Sequence, residues 1–415
     1  MRTWAALAAQ VAQRSNLVHG ATTAQSRLRL FGTEENAVRV TFYRDHHAWC
    51  PYCQKIWLYL EEKRIPYRVK KVTMFCYGNK ESWFKAVVPS GMLPAVEIDG
   101  RLVTESDVIL EKLEAAFGAL GGAAMNDRFT VELRQLERQL FSAWCRWLCH
   151  SNSRASEEQA RSNFDAVAGR VDAALAKSGG PFFRGADFST ADLVFVPYVE
   201  RMSASLLYYK GYALRDSEKF PRFSAWFDAL EKRETYRGTQ SDFHTHCHDL
   251  PPQMGGCYEN GAPEQQRIKA AIDARGLATR DDFGLRAKEA SYSEPADAAF
   301  IAADRVAKYR ETLCKINPEC SDAAKLDAAL LTTLNNMLDG SREAPPKGTA
   351  AALRYIRDRV NVPRDMPIWS ARRLCASLEE TAFLDSAAQP RKTIALDNRR
   401  DQDPKPFVDA AMAAA

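Results

Sequence analysis

The stretch AVRVTFYRDHHAWCPYCQKIWLYL, residues 37–60, decides the fold of the first part of this chain. Apolar side chains alternate with polar ones over residues 38–42, a period of two that predicts a β-strand. After a short loop that ends in Cys50-Pro51-Tyr52-Cys53, apolar side chains recur at helical spacing from Ile56 to Leu60. The sequence therefore predicts a strand, a loop and a helix, with a Cys-x-x-Cys pair where the helix begins.

The elements that follow this stretch complete a small sheet. Residues 66–73 read as a second strand, which is parallel to the first if the intervening helix is a crossover. Residues 95–98 and 101–104 predict a hairpin, because Asp99-Gly100 suits a tight turn whose central residues both need positive φ. Residues 106–117 predict a helix that Gly118 ends. The order β-α-β followed by β-β-α is the thioredoxin-like arrangement, with the Cys-x-x-Cys at the expected corner.

The rest of the chain reads as helical, so the predicted fold class is α/β plus all-α. Apolar side chains recur at i, i+3 and i+4 through the next hundred residues, and Ser189–Asp192 has the form of a capping box before an apolar run. The predicted organisation is a leader at 1–36, a thioredoxin-like domain at 37–120, a helical domain at 125–248, a Pro- and Gly-rich linker at 249–264, a helical extension at 265–386 and a disordered tail at 387–415.

Composition excludes several classes of protein. Of 415 residues, 46% are hydrophobic and 27% charged, which is close to the globular average and rules out wholesale disorder or a fibre. The net charge of +4 is too weak and too spread out to indicate nucleic acid or a membrane surface as the main partner. No apolar run approaches the roughly 18 residues that a spanning helix needs.

The N-terminal stretch has the composition of a targeting segment. Residues 1–33 contain no Asp or Glu but include Arg2, Arg14, Arg27 and Arg29 among Ala, Gln, Ser and Thr. Such leaders are typical of organelle transit peptides, and a disordered N-terminus is the alternative. We expect an organellar protein, with plastid and mitochondrion not distinguished and the cytoplasm as the alternative.

The Cys-x-x-Cys pair is the strongest chemical signal. Pro51 fits the first helical position, where its missing N–H costs nothing, and the helix N-terminus favours a thiolate at Cys50. Cys53 lies one turn further and can attack a mixed disulfide formed on Cys50. A buried structural pair and a zinc half-site are the alternatives, but zinc would need a second ligand pair that the sequence does not offer. No metal ligands are therefore predicted, and the remaining eight of the ten cysteines are scattered.

Residues 37–240 resemble a cytosolic-type glutathione transferase, most of all the cysteine-type classes omega, lambda and dehydroascorbate reductase. The local matches are Met92-Leu93-Pro94-Ala95, Glu105-Ser106, Asn79-Lys80 followed by Trp83-Phe84, and Gly185 with Ser189–Asp192. The resemblance implies glutathione as co-substrate, a cis-proline loop at Pro94, and Cys50 and Cys53 as catalytic residues. The glutathione-binding residues that it implies are Pro51, Tyr52, Lys80, Leu93, Pro94, Glu105 and Ser106.

These assignments agree with elementary chemistry. An extended segment at Leu93 can pair with the tripeptide backbone, as an added β-strand does. Ser106 lies at a helix N-terminus, which suits the γ-glutamyl carboxylate, and Lys80 offers a cation for the other carboxylate. The chain departs from the omega pattern in having two cysteines, as glutaredoxins do, so monothiol and dithiol routes both stay open. The resemblance says nothing of residues 265–415.

Other constellations favour structural roles. His244, His246, Cys247 and His248 invite a metal site, but not all four side chains can converge, so a structural or exposed segment is favoured. His46 and His47 are expected to be exposed. The paired residues Cys145/Cys149 and Tyr208/Tyr209 are expected in the core, with a place at the substrate pocket as the alternative.

The sequence and the resemblance thus predict a glutathione-dependent enzyme of the thioltransferase or dehydroascorbate reductase type. It would reduce or deglutathionylate a small or protein disulfide acceptor, and a small electrophile is the other substrate considered. The rival hypothesis is a non-catalytic, transferase-like scaffold or subunit of an organellar assembly, with a protein partner bound through residues 265–415. A homodimer is compatible with either hypothesis.

Overall fold

The computed structural model describes residues 2–12, 16–150, 153–274 and 289–385. In chain order the elements are α1 (Trp4–Ala12), β1 (Leu28–Arg29), β2 (Val40–Asp45), α2 (Pro51–Glu62), β3 (Tyr67–Val72), α3 (Ser82–Val87), β4 (Ala95–Ile98), β5 (Arg101–Thr104), α4 (Ser106–Phe117), α5 (Arg128–His150), α6 (Arg154–Ala176), α7 (Thr190–Lys210), α8 (Pro221–Leu230), α9 (Glu234–Thr239), α10 (Phe243–Met254), α11 (Pro263–Asp273), α12 (Ala298–Ile316), α13 (Ala323–Asp339), α14 (Ala350–Arg359) and α15 (Ile368–Asp385).

The strands form one sheet in the order β1-β3-β2-β4-β5. β2 runs parallel to β3, with Asp45 opposite Val72, so α2 is the predicted crossover helix. β4 is antiparallel to β2 and to β5, and Ala95 lies opposite both Tyr43 and Thr104. The end of β2, the end of β3, the start of β4 and the end of β5 therefore meet at the same edge of the sheet.

Local chemistry explains the sharp turns of this domain. Asp99 and Gly100 have φ of 50° and 76°, as the predicted tight turn requires. α4 begins at Ser106, and it is followed by Gly118 with φ of 85°. The hairpin and this helix have the predicted bounds, so the thioredoxin-like prediction is confirmed at the level of single elements.

The helical domain packs its central helix against the sheet domain. α7 is buried along its whole length, and its start is fixed by the predicted capping box between Ser189 and Asp192. α2 contacts α7 and α9, and the buried side chains of both domains form one continuous core. Among the described helices, none combines the length and apolar character that crossing a bilayer requires.

The predicted boundary between the helical domain and the extension differs from the structure. Half of the predicted linker is helical, because α10 continues through Pro251 and Pro252 to Met254. α11 was assigned to the extension, but its buried Ile268 and Ile272 belong to the core of the helical domain. Within the described residues, the extension therefore comprises 289–385; the predicted tail falls outside them.

The extension has a core of its own, which α12, α13, α14 and α15 share with α1. Leu7 and Val11 of α1 are buried in it, and the Trp4 indole donates to Asp327 at 2.7 Å. β1 also pairs with β3 in the sheet. The described part of residues 1–36 is thus folded into two cores, which differs from the disordered leader that was the alternative expectation.

A short segment of the extension joins it to α10. The amide of Asn361 donates to Asp249 at 3.0 Å, and the Val362 N–H donates to the Thr245 hydroxyl at 3.1 Å. The Ser241 hydroxyl donates to the carbonyl of Val362. These contacts are buried and polar, so they fix the position of the extension against α10 rather than adding apolar area.

Candidate active site

The register of the sheet brings the predicted glutathione residues together. Tyr43, Ala95 and Thr104 lie side by side in β2, β4 and β5. The neighbouring residues beyond this row are Pro94, before β4, and Glu105, after β5. The loop that leads from β2 to Cys50 begins at the same edge. Four segments far apart in sequence therefore converge at one end of the sheet.

Cys50 is the N-cap residue of α2, with Pro51 at the first helical position. Its side chain is 6% exposed, whereas that of Cys53 is 2% exposed and that of Tyr52 is 40% exposed. Cys50 is therefore buried, with an exposed phenol as its neighbour in the first turn of α2.

Cys53 lies beneath Cys50, and the two sulfur atoms are within 4.8 Å of each other. Burial raises the pKa of the Cys53 thiol well above its usual range, and a hydrogen bond to Cys50 together with the charges of Cys50 and Asp45 raises it further. Cys53 is therefore a neutral thiol near pH 7. Because the thiolate is the attacking species, Cys50 is the better placed of the two for the first step.

Asp45, the last residue of β2, is a site residue that the sequence reasoning missed. One carboxylate oxygen accepts the Trp49 N–H at 2.7 Å, which closes the loop leading to Cys50. An oxygen of this carboxylate lies within 4.8 Å of both sulfur atoms. The other oxygen, Oδ1, is buried without a hydrogen-bond partner among the described residues. The only signal in the sequence is an acidic residue at the end of a predicted buried strand.

Arg201 of α7 supplies a cation behind the same loop. It is buried, and it donates to the Trp49 carbonyl and, at 3.0 Å, to the side chain of Gln54. Burial lowers the pKa of Arg201, while Glu200 and Cys50 act in the opposite direction. The buried guanidinium therefore places a positive charge behind the loop that carries Cys50. No motif in the sequence marks Arg201, which lies in the middle of a buried helix.

Lys80 lies at the same edge of the sheet. Its ammonium donates to the Thr73 carbonyl, just after β3, at 3.1 Å, and the side chain is half-buried. Burial lowers the pKa of Lys80, and Cys53, Cys50 and Glu81 oppose the effect. Lys80 is thus a positioned cation near the thiols and not a freely solvated lysine. Its binding of glutathione stays a prediction.

The loop that holds Lys80 is fixed by its neighbour Glu81. The Glu81 carboxylate accepts the Thr73 N–H at 3.0 Å and the Thr73 hydroxyl at 2.8 Å, and it lies 3.5 Å from His46. Burial acts to raise the pKa of Glu81, but these hydrogen bonds outweigh it and lower the pKa to about 2. Glu81 is therefore an anion that holds two segments together at the site.

The Pro94 loop has the cis-proline that the resemblance implied, and the binding roles of the remaining residues stay predictions. The Leu93-Pro94 peptide bond is cis, and Leu93 is half-buried behind an exposed Met92. Glu105 is exposed with φ of 66°, and Ser106 is buried at the start of α4.

Most of the side chains that the sequence left ambiguous are buried, including Cys149, whereas Cys145 is half-buried. His46 and His47 were expected to be exposed, which is wrong, since His47 stacks on Tyr77 with ring centroids 3.8 Å apart. Tyr208 and Tyr209, which lie on α7, are buried in the core of the protein. The histidines at 244–248 are also buried, so the segment is not an exposed one.

Comparison with known proteins gives two matches to family models. The model described as "Glutathione S-transferase, N-terminal domain" matches residues 49–116, and "Glutathione S-transferase, C-terminal domain" matches residues 142–239. The first match contains Cys50, Pro94 and Ser106, and the second contains Arg201. Both matches end before α10.

Relatives are found among plant proteins. The chain is 31% identical to "Glutathione S-transferase DHAR3, chloroplastic" of Arabidopsis thaliana over 193 residues, which are 46% of this chain and 69% of the relative. It is 30% identical to "Probable glutathione S-transferase DHAR2, chloroplastic" of Oryza sativa over 40% of this chain and 57% of the relative. Among solved structures, the glutathione transferase Omega 3C of Trametes versicolor is 28% identical, with a TM-score of 0.43 over 57% of this chain and 91% of that chain.

Proposed function

Because the chain belongs to the glutathione S-transferase family, we propose that it is a glutathione-dependent thiol transferase whose nucleophile is Cys50. The single observation that supports this reaction is the convergence of Cys50, the cis-Pro94 loop, Ser106 and Lys80 at one edge of the sheet. Each of these residues contributes a different kind of interaction. Their order along the sheet follows the order of the groups along a tripeptide.

Glutathione serves as the co-substrate in this proposal. Its cysteinyl part pairs with the backbone of Leu93, where the extended segment before β4 offers an N–H and a carbonyl. Its γ-glutamyl carboxylate meets the N-terminus of α4 at Ser106, beside Glu105. Lys80 is the cation for the glycine carboxylate. Pro51 and Tyr52 border the sulfur, since they follow Cys50 directly and Tyr52 is exposed.

The reaction proceeds by thiol–disulfide exchange. The thiolate of Cys50 attacks the glutathione sulfur of a mixed disulfide, forms a bond to that sulfur and releases the substrate as a thiolate, which takes up a proton. The thiolate of a second glutathione then attacks the enzyme-bound sulfur, which frees Cys50 and yields glutathione disulfide. Cys53 is the weaker resolving group near neutral pH, because its pKa is raised by burial.

The experiment compares Cys50→Ser with Cys53→Ser in a glutathione-coupled assay on the mixed disulfide of glutathione and 2-mercaptoethanol. We expect turnover to fall by at least a thousandfold in Cys50→Ser, because no thiolate is left to attack. We expect Cys53→Ser to keep most of the turnover of the parent. Full turnover in Cys50→Ser would remove the mechanism, and loss of turnover in Cys53→Ser would establish a dithiol route.

The size of the extension favours a second candidate function. Residues 289–385 form their own core with α1, outside both family matches. A transferase-like scaffold or subunit, whose partner binds this extension, would have such a part. Glutathione affinity and the size of the full chain on a sizing column separate the two: no glutathione binding together with a large assembly supports the scaffold, whereas binding by a monomer or a homodimer supports the enzyme.

An organelle is the proposed location, with plastid and mitochondrion still to be separated and the cytoplasm as the alternative. The acid-free composition of residues 1–33 supports it, and two relatives bear the word "chloroplastic" in their names. A fluorescent protein fused after the full chain would report the compartment, and diffuse cytoplasmic fluorescence would contradict the proposal.

A further inference from the structure

α10 carries two histidines that share a face. His244 and His248 are one helical turn apart, and their rings lie 4.4 Å apart between centroids with a tilt of 38°. Both side chains are buried, at 5% and 1% exposure. Side chains at i and i+4 meet in this way in any α-helix, so the formation of α10 by itself brings two imidazoles together.

A third ligand-type side chain approaches from α11. Asp273 is the last residue of that helix, and its Oδ1 lies 2.9 Å from Nε2 of His248. One ring nitrogen of each histidine and one oxygen of Asp273 all lie within 4.8 Å of one another. From the sequence, a metal site was discounted here because the four side chains at 244, 246, 247 and 248 cannot all converge. In the structure, His244 and His248 converge with Asp273 instead.

The surroundings hold this group of three in place. The hydroxyl of Tyr208 lies 3.1 Å from both carboxylate oxygens of Asp273, which fixes the orientation of the carboxylate. The second ring nitrogen of His248, Nδ1, is buried without a hydrogen-bond partner among the described residues. A supporting hydrogen bond that orients a carboxylate is a feature of a preorganised metal ligand. A buried imidazole nitrogen without a partner is a group that a bound ion could satisfy.

The carboxylate of Asp273 is held by groups that carry no permanent positive charge. Among the described residues, its hydrogen-bonding partners are the His248 imidazole and the Tyr208 phenol. A cation bound between the two helices would lie directly against this carboxylate.

We propose that His244, His248 and Asp273 bind one divalent transition-metal ion, zinc by the chemistry of the donors. Two imidazoles and one carboxylate are a zinc donor set, and three protein ligands leave a fourth position for water. Around zinc, with ligands near 2.0–2.1 Å, neighbouring donor atoms are about 3.3 Å apart. The three donor atoms, which lie within 4.8 Å of one another, would move closer together when an ion binds. The ion would tie α10 to α11, independently of the reaction proposed above.

Zinc binding is tested on the full chain with Cys50→Ser and Cys53→Ser, since those thiols also attract zinc. After treatment with a chelator and its removal, we expect calorimetric titration with zinc chloride to show one equivalent bound and the thermal unfolding midpoint to rise with zinc concentration. His244→Gln and Asp273→Asn should each weaken binding by more than a hundredfold. Tyr208→Phe should weaken it by about 10- to 100-fold, as loss of a supporting hydrogen bond does.

The matched control is His150→Gln, because His150 is an exposed histidine at the end of α5. It should bind zinc as the parent does. The parent in these measurements is the chain with Cys50→Ser and Cys53→Ser. If this parent neither binds zinc nor shows a thermal shift, the proposal is overturned, and that outcome does not depend on whether the ligand variants fold. Binding that survives both His244→Gln and Asp273→Asn would also overturn it, because the ion would then lie elsewhere.

Discussion

Two regions of this molecule bury charge in opposite ways. At the sheet edge, Asp45 has one unpartnered oxygen and Arg201 has an unpartnered Nε among the described residues, close to the two thiols. In the extension, Arg354 and Arg357 both pair with Glu379, and Arg357 also pairs with Asp358. Incompletely satisfied charges can change their interactions during a reaction, whereas fully paired ones can only support a structure.

This difference in the pairing of buried charges distinguishes the candidate site from the extension better than burial does. Both regions are helical or mixed, both are tightly packed, and both contain buried cysteines. At the sheet edge, the Cys50 thiol lies at a helix N-terminus and interacts with the cations Lys80 and Arg201. The extension, for its part, has a closed ion network inside an apolar core, which is typical of a region that supports or binds rather than reacts.

The largest effect should follow from opening the ion network of the extension. Glu379→Ala leaves Arg354 and Arg357 buried with one partner fewer, so we expect the free energy of unfolding to fall by about 3–5 kcal/mol. Urea unfolding measures it. Glu158→Ala is the control, because Glu158 pairs with Arg154 on the surface and such pairs contribute less than about 1 kcal/mol. Equal losses for both variants would remove the contrast between the regions.

A second effect tests whether α1 belongs to the extension. Leu7→Ala should lower the free energy of unfolding by about 2–4 kcal/mol, since Leu7 is fully buried in the core of the extension. Chemical denaturation followed by circular dichroism measures the change. Leu102→Ala on the exposed side of β5 is the control and should have little effect. A neutral Leu7→Ala would mean that α1 does not contribute to this core.

A third prediction concerns the cation behind Cys50. Arg201→Gln should slow alkylation of Cys50 by iodoacetamide at pH 7 about tenfold, because less negative charge is stabilised on the sulfur. Arg201→Lys keeps the charge and should react faster than Arg201→Gln. Mass spectrometry of the modified peptide follows the rate at Cys50 alone. If both variants react like the parent, the guanidinium only supports the loop.

The smallest effect is a pH dependence at the site. The pKa of Glu81 is lowered to about 2, so its stabilising effect is present above its ordinary pKa near 4.5 and is lost as the pH falls towards 2. With allowance for solvent screening, we expect a loss of about 1–2 kcal/mol between pH 5 and pH 2.

Glu81→Gln separates this contribution from those of other carboxylates. Its free energy of unfolding should depend less steeply on pH over the same range than that of the parent, while both behave alike above pH 5. Urea unfolding at several pH values gives the comparison. Identical slopes for the two proteins would show that Glu81 does not hold the loop of Lys80 in solution.

The features that could be predicted from the sequence are those that depend on residues close together along the chain. The turn at Asp99-Gly100, the helix at 106–117 and the capping box at Ser189 are local patterns, and their bounds agree with the structure. The sheet edge could also be predicted, because Cys50 and Pro94 belong to motifs with a fixed relation to the fold.

Residues whose partners lie far away in the sequence could not be predicted. Arg201 reaches Trp49 over 152 positions, and nothing in the local pattern of α7 marks it as different from a core-lining residue. Asp273 meets His248 only because α10 and α11 turn back on each other. The packing of α1 against α12 is likewise decided by apolar surfaces that many other helices could cover.

α10 contacts three other parts of the molecule. Beside the imidazole pair at His244 and His248 it carries His246, which accepts the Trp49 indole N–H at 3.0 Å next to Cys50, and its first turn is hydrogen-bonded to Val362. A displacement of the extension would therefore be transmitted through α10 to Trp49, the residue that precedes Cys50.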